Sequence, residues 1–131
     1  RTTVAFEQKH NESLWTKRYR QAIKKSANKS ITLDAGLLRF QAKLSLQQGG
    51  YDQAEAYLQK SLSIYKKTGS RTEIAGILFE LGKLSKMQDK RERAVSYFKR
   101  SIIVYRSLGR EDKVHEITKW LTEIKAAMMK Q

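Results

Sequence analysis

Apolar residues recur at three- and four-residue steps along most of this chain, the period of an α-helix with one buried face. Leu37, Leu38, Ala42 and Leu44 form one such face before Gln48-Gly49-Gly50 interrupts it. Ala54, Tyr57, Leu58, Ser61, Leu62 and Tyr65 resume the period. Lys66-Lys67 and then Gly69 end it: basic residues in a last turn with glycine just beyond are a helix stop. Arg106 and Gly109 repeat the signal, and Asp52 and Glu92 sit where a helix N-terminus favours negative charge. At one end of the chain Trp15, Tyr19, Ala22 and Ile23 share a stripe, followed by a Ser26-Ala27-Asn28-Lys29-Ser30 segment read as a loop. At the other, Val114, Ile117, Leu121 and Ile124 share another. The pattern predicts about six helices, near 5–26, 31–48, 51–67, 71–88, 91–107 and 111–129.

The same pattern occurs twice. Displaced by 40 residues, Ala54, Tyr57, Ser61, Tyr65 and Gly69 fall on the identical Ala94, Tyr97, Ser101, Tyr105 and Gly109. Ala35-Gly36-Leu37-Leu38 falls on Ala75-Gly76-Ile77-Leu78, and Leu44 on Leu84. Fixed-period self-similarity is the signature of stacked supersecondary units. The chain therefore reads as one domain over 1–131: an N-terminal basic helix (1–30), a first repeat (31–69), a second (70–109) and a C-terminal capping helix (110–131). The N-terminal helix is expected to pack on the first full unit, and the last helix to close the solenoid with one polar face.

These residues resemble the tetratricopeptide repeat, in its longer variety of about 40 residues. Leu78, Leu81 and Gly82 match the large-large-small pattern of the family's first helix, and Ala94, Phe98 and Ser101 the small-aromatic-small pattern of its second. In the first unit Leu38, Gln41, Ala42, Ala54, Leu58 and Ser61 stand at those positions, with Gln41 replacing an apolar residue. The proline that often follows the family's second helix is missing. The resemblance implies an all-α fold, a right-handed superhelical array of antiparallel helix hairpins, in which small residues let helices approach and large neighbours fill the gaps.

Composition narrows the function more than the fold. The 131 residues include no proline and no cysteine, which leaves few forced helix breaks, no disulfide and no thiolate metal site. No apolar run approaches the roughly 20 residues needed to span a bilayer, and the N-terminus has no apolar signal core. A cytoplasmic setting is expected, and the lack of an initiator methionine suits a fragment of a larger protein. The net charge is +14, with +6 over residues 1–30 and +5 over 70–109. Such a field draws anionic partners and speeds their encounter, most strongly at low salt.

Catalytic and cofactor signatures are missing. Gly49-Gly50 lacks the Gly-Lys-Ser/Thr ending of a phosphate loop, and His10 and His115 stand far apart, neither with a second histidine at helical spacing; His115 beside Glu111 and Glu116 reads as a solvated helix face. The serines lack a nucleophile elbow. Glu73, Glu80, Asp89 and Glu92 read as charge compensation on basic helices, and no enzyme activity, metal or cofactor is expected. The stripe of Tyr57, Tyr65, Tyr97, Tyr105 and Phe98 recurs at the repeat offset, so it reads as packing between helices rather than a base-stacking platform.

What remains is binding of another protein. In the family it resembles, first helices line a concave groove, which implies that Arg39, Lys43, Gln47, Phe79, Lys83, Lys86, Met87 and Lys119 face a partner. Gly36 and Gly76 would leave room for a ligand backbone there, or for packing. Such a groove, basic and with Phe79 and Met87 as an exposed apolar pair, suits an acidic, partly apolar segment. The family's carboxylate clamp also needs amides, and Lys43 and Glu80 stand near those places instead. The alternative is nucleic acid or an anionic surface, met by Lys17, Arg18, Arg20, Lys24, Lys25, Arg93 and Arg100, although no recognised nucleic-acid motif accompanies them. Self-association into a homo-oligomer is a further expectation, since so short an array leaves exposed ends.

Overall fold

Four short connectors divide the chain into five helices rather than six. The computed structural model describes the backbone of residues 2–130, and side chains at 14, 16–27 and 29–130. The helices are α1 (Thr2–Gln47), α2 (Tyr51–Thr68), α3 (Arg71–Met87), α4 (Arg91–Ser107) and α5 (Glu111–Met129), with no strand among the described residues. The connectors between α1 and α2, α2 and α3, α3 and α4, and α4 and α5 each turn through one residue of positive φ: Gly49, Gly69, Asp89 and Gly109.

The expected loop at 26–30 is instead helix, so the first two expected helices are one of 46 residues. Its sequence explains why. Serine, asparagine and lysine cost an α-helix only a few tenths of a kcal/mol each, and none forces a break as proline would. A second expectation fails with the first. Tyr19 and Ile23 do not pack on the first unit but stand 69% and 51% exposed. The Trp15 side chain lies outside the described residues.

From residue 31 onward the chain is a stack of antiparallel hairpins, an all-α solenoid. Ala35, Ala42, Leu58, Leu62, Tyr65, Ile77 and Leu84 join α1, α2 and α3 in one core. Ala75, Phe79, Phe98, Ile102, Val114 and Ile117 join α3, α4 and α5 in a second. Helix α3 lies between them and is buried on most of its circumference, from Ala75 to Ser85. The repeat is visible in polar detail too. Ser61 Oγ donates to the Ala35 carbonyl at 2.8 Å, and Ser101 Oγ donates to the Ala75 carbonyl at 2.7 Å. Tyr65, Tyr105 and Phe98 are core residues, and Tyr57 and Tyr97 pack against its edge.

Candidate partner-binding groove

Lys43 and Lys83 occupy the same position in successive repeats, each following the small residue that contacts its own second helix. One residue on, a helix has turned 100°, which carries both lysines from the packed face to the open side. There α1 and α3 flank a cleft of about 240 Å³. Ala42, Leu46, Leu58 and Leu84 supply its apolar lining, and Lys43, Lys83, Glu80 and Met87 the remainder.

The charges around this cleft are not equivalent. Arg39 Nη1 lies 2.6 Å from Glu73 Oε2, and its Nη2 and Nε donate to Glu80 at 2.8–3.1 Å. Burial pulls the Arg39 guanidinium pKa down, but the hydrogen bonds and charge of Glu80, helped by Glu73, overcome that and raise it. Arg39 is thus a structural cation that ties α1 to α3. Its pairing also occupies Glu80, the carboxylate in the cleft lining. Among the described residues Lys43 makes no ion pair. Lys83 Nζ lies 4.3 Å from the Phe79 ring centroid, and Lys86 Nζ lies 4.7 Å from that of Trp120 and 4.0 Å from Glu123. Aromatic faces hold these ammonium groups in place without neutralising them.

Several groove expectations separate here. Lys43, Lys83 and Met87 come together in the cleft, and Lys86 extends their row toward α5. Gln47 is exposed at the end of α1, outside the lining. Lys119 lines a different, shallow hollow with His115 and Thr122. Phe79 is not an exposed partner for Met87. It is only 6% exposed, with its ring centroid 5.8 Å from Phe98 and 6.0 Å from Trp120. Gly36 and Gly76, read as room for a ligand backbone or for packing, differ: Gly76 is buried and tightly packed, whereas Gly36 is exposed. A Cβ on Gly36 would meet the Tyr65 hydroxyl at 3.7 Å, and one on Gly76 would lie 2.7 Å from Arg39 and 3.4 Å from the Tyr105 hydroxyl. Trp120, which sequence reasoning missed, seats Lys86; its only signal was an aromatic between the buried Ile117 and Ile124 on one helix.

The alternative basic residues do not form one surface. Lys17 and Arg20 share a shallow depression with Thr16 and Gln21 on α1, and Arg18, Lys24 and Lys25 are exposed nearby. Arg93 and Arg100 stand on α4, and Arg93 donates to Glu55 at 2.6 Å. A larger hollow of about 580 Å³ lies at the α3–α4 turn, between Asp89–Arg93 and Met128. Its charges are largely compensated, with Arg91 3.4 Å from Asp89 and Arg93 paired to Glu55, so it offers a partner less than the smaller cleft does. Among the described residues no helix is long and apolar enough to cross a membrane.

Comparison with known proteins agrees with this architecture. No curated protein matches the sequence. The crystal structure of BtubC (BKLC) from P. vanneervenii superposes with a TM-score of 0.52 over 84% of this chain, at 19% identity, a likeness of fold alone. The chain spans 55% of that protein's length. The model of the Tetratricopeptide repeat family matches residues 34–107, more than half of the sequence, and takes in both hairpins that flank the cleft. The chain belongs to the tetratricopeptide repeat family, whose general role is protein–protein interaction.

Proposed function

We propose that this chain is a docking module that holds an acidic, partly apolar segment of another protein between α1 and α3. The observation that supports this most is the pairing of Lys43 and Lys83 beside an apolar cleft whose own carboxylate is held by Arg39. The cleft keeps its positive charge while losing its negative one. A carboxylate-bearing chain would find two ammonium groups at the rim, while an aliphatic or aromatic side chain beside it would enter among Leu46, Leu84 and Met87. Charge then governs the encounter and apolar burial the residence time. Met87, unbranched and 55% exposed, can adjust to differing side chains.

The test is an array of short peptides, acidic with one large apolar residue, against neutral scrambles of the same length. The chain should retain acidic members and release them as salt rises. Lys43→Glu/Lys83→Glu should lower that binding by about 100-fold, on the order of 3 kcal/mol for two charge-assisted contacts. Equal binding by the variant would remove the cleft from the account. Retention of single-stranded nucleic acid instead, lost on changing Lys17, Arg20, Lys24 and Lys25 to Glu, would transfer function to α1.

A further inference from the structure

Helix α1 carries a second apolar stripe on the side away from α2. Leu33, Leu37, Phe40 and Leu44 are 68%, 57%, 57% and 42% exposed. Tyr19 and Ile23, also exposed, continue it, with Ser26 and Ser30 between. The steps from Tyr19 to Leu44 alternate four and three without interruption, the spacing of a coiled-coil seam. Sequence reading placed Leu37 and Leu44 on the same face as Leu38 and Ala42. The structure divides them, with Ala42 buried against α2 and Leu37 and Leu44 outside.

The repeat itself shows what such a face takes. Leu37 and Leu44 stand where Ile77 and Leu84 stand one repeat later, and those two are 0% and 2% exposed in the core shared with α2. Ile77 and Leu84 receive an antiparallel helix that precedes them. The corresponding helix for Leu37 and Leu44 would come from residues before 31, but α1 runs straight through that point. Every reversal in this molecule uses a residue of positive φ, and 26–30 contains none. The N-terminal half of α1 therefore points away from the face it would otherwise cover.

We infer that two copies of this chain associate through antiparallel α1 helices, each N-terminal half lying on the Leu33–Leu44 face of the other. Pairing seam positions across a two-fold axis between residues 31 and 32 sets Tyr19 against Leu44 and Ile23 against Phe40. Ser26 then meets Leu37, and Ser30 meets Leu33. Each small residue faces a large one, as close packing of a self-complementary interface requires. Charge selects the direction. Residues 14–30 carry six basic and no acidic side chains, whereas 31–47 carry only Arg39, Lys43 and Asp34. A parallel pair would set six cations against six; the antiparallel pair sets them against a nearly neutral segment. Six side chains about half exposed leave roughly 600 Å² open per copy, so two copies would cover about 1,200 Å², enough for a stable specific interface.

Sedimentation equilibrium of the full chain should give twice the monomer mass, with association strengthened as salt screens the residual repulsion. Leu37→Glu/Phe40→Glu should keep its helical circular dichroism yet sediment as a monomer. A wild-type chain that sediments as a monomer, or a variant that still pairs, overturns the inference. Direction is read by cysteines, which the chain otherwise lacks. On mild oxidation Tyr19→Cys/Leu44→Cys should form disulfides between chains, while Tyr19→Cys alone should not. A cross-linked single variant would mean parallel helices. A disulfide within one chain would mean that α1 folds back on itself. Free thiols in the double variant would leave the face to some other occupant. Each of these three results contradicts the antiparallel pair.

Discussion

The two hairpins solve one packing problem with different pairs of residues. In the first, Ala42 on α1 sits beside Leu58 on α2; in the second, Gly82 on α3 sits beside Phe98 on α4. A Cβ on Gly82 would lie 2.5 Å from the Phe98 ring, so the larger partner requires the smaller one. Phe98 cannot yield, because Phe79 and Trp120 pack on it with centroids 5.8 and 6.1 Å away. The second hairpin is thereby built around an aromatic cluster that α5 covers. The first has Leu58 at that contact, with Tyr65 further along α2, and an open outer face. The repeat conserves the volume at a helix contact rather than the residues that fill it.

Gly82→Ala tests that reading with the largest expected effect. It should destabilise the chain by about 2 kcal/mol in urea unfolding, since overpacking outweighs the better helix propensity of alanine. Adding Phe98→Leu, which recreates the first hairpin's pairing, should recover more than half of that loss. No recovery would mean that the two contacts are not alternatives. A smaller effect should be common to both hairpins. Ser61→Ala and Ser101→Ala each remove a buried hydroxyl hydrogen bond to a first-helix carbonyl and should each cost about 1 kcal/mol. A difference well above 1 kcal/mol between them would break the equivalence. The smallest concerns the turns, where Gly49 and Asp89 hold matching positions at φ 79° and 60°. Asp89→Gly should stabilise by about 0.5 kcal/mol, the left-handed strain relieved being partly offset by unfolded-chain entropy.

Most of the solenoid is legible in the sequence because its signals are local and repeated. Gly69 and Gly109, each just past a basic last turn, mark helix ends locally, and the 40-residue identities mark positions that pack alike. The 26–30 segment misled because polar residues between two apolar stripes resemble a loop, yet a helix breaks only when the backbone is made to turn. Phe79 misled for a different reason. Its helical phase leaves it beside the cleft, and Phe98 of α4 and Trp120 of α5, both distant in sequence, pack on it. Arg39 was legible as a cation on the groove face but not as one already engaged, because Glu73 and Glu80 reach it across 34 and 41 residues. Lys43 and Lys83 needed no such long-range knowledge. Their place follows from the small residues before them.

The most direct test of the cleft as a docking site is nuclear magnetic resonance mapping on the labelled chain titrated with an acidic, apolar-bearing peptide. The account predicts that saturable shifts gather at Lys43, Leu46, Lys83, Leu84 and Met87 and weaken as salt is raised. Shifts confined to Lys17–Lys25 on the N-terminal half of α1, with the cleft unmoved, would contradict it.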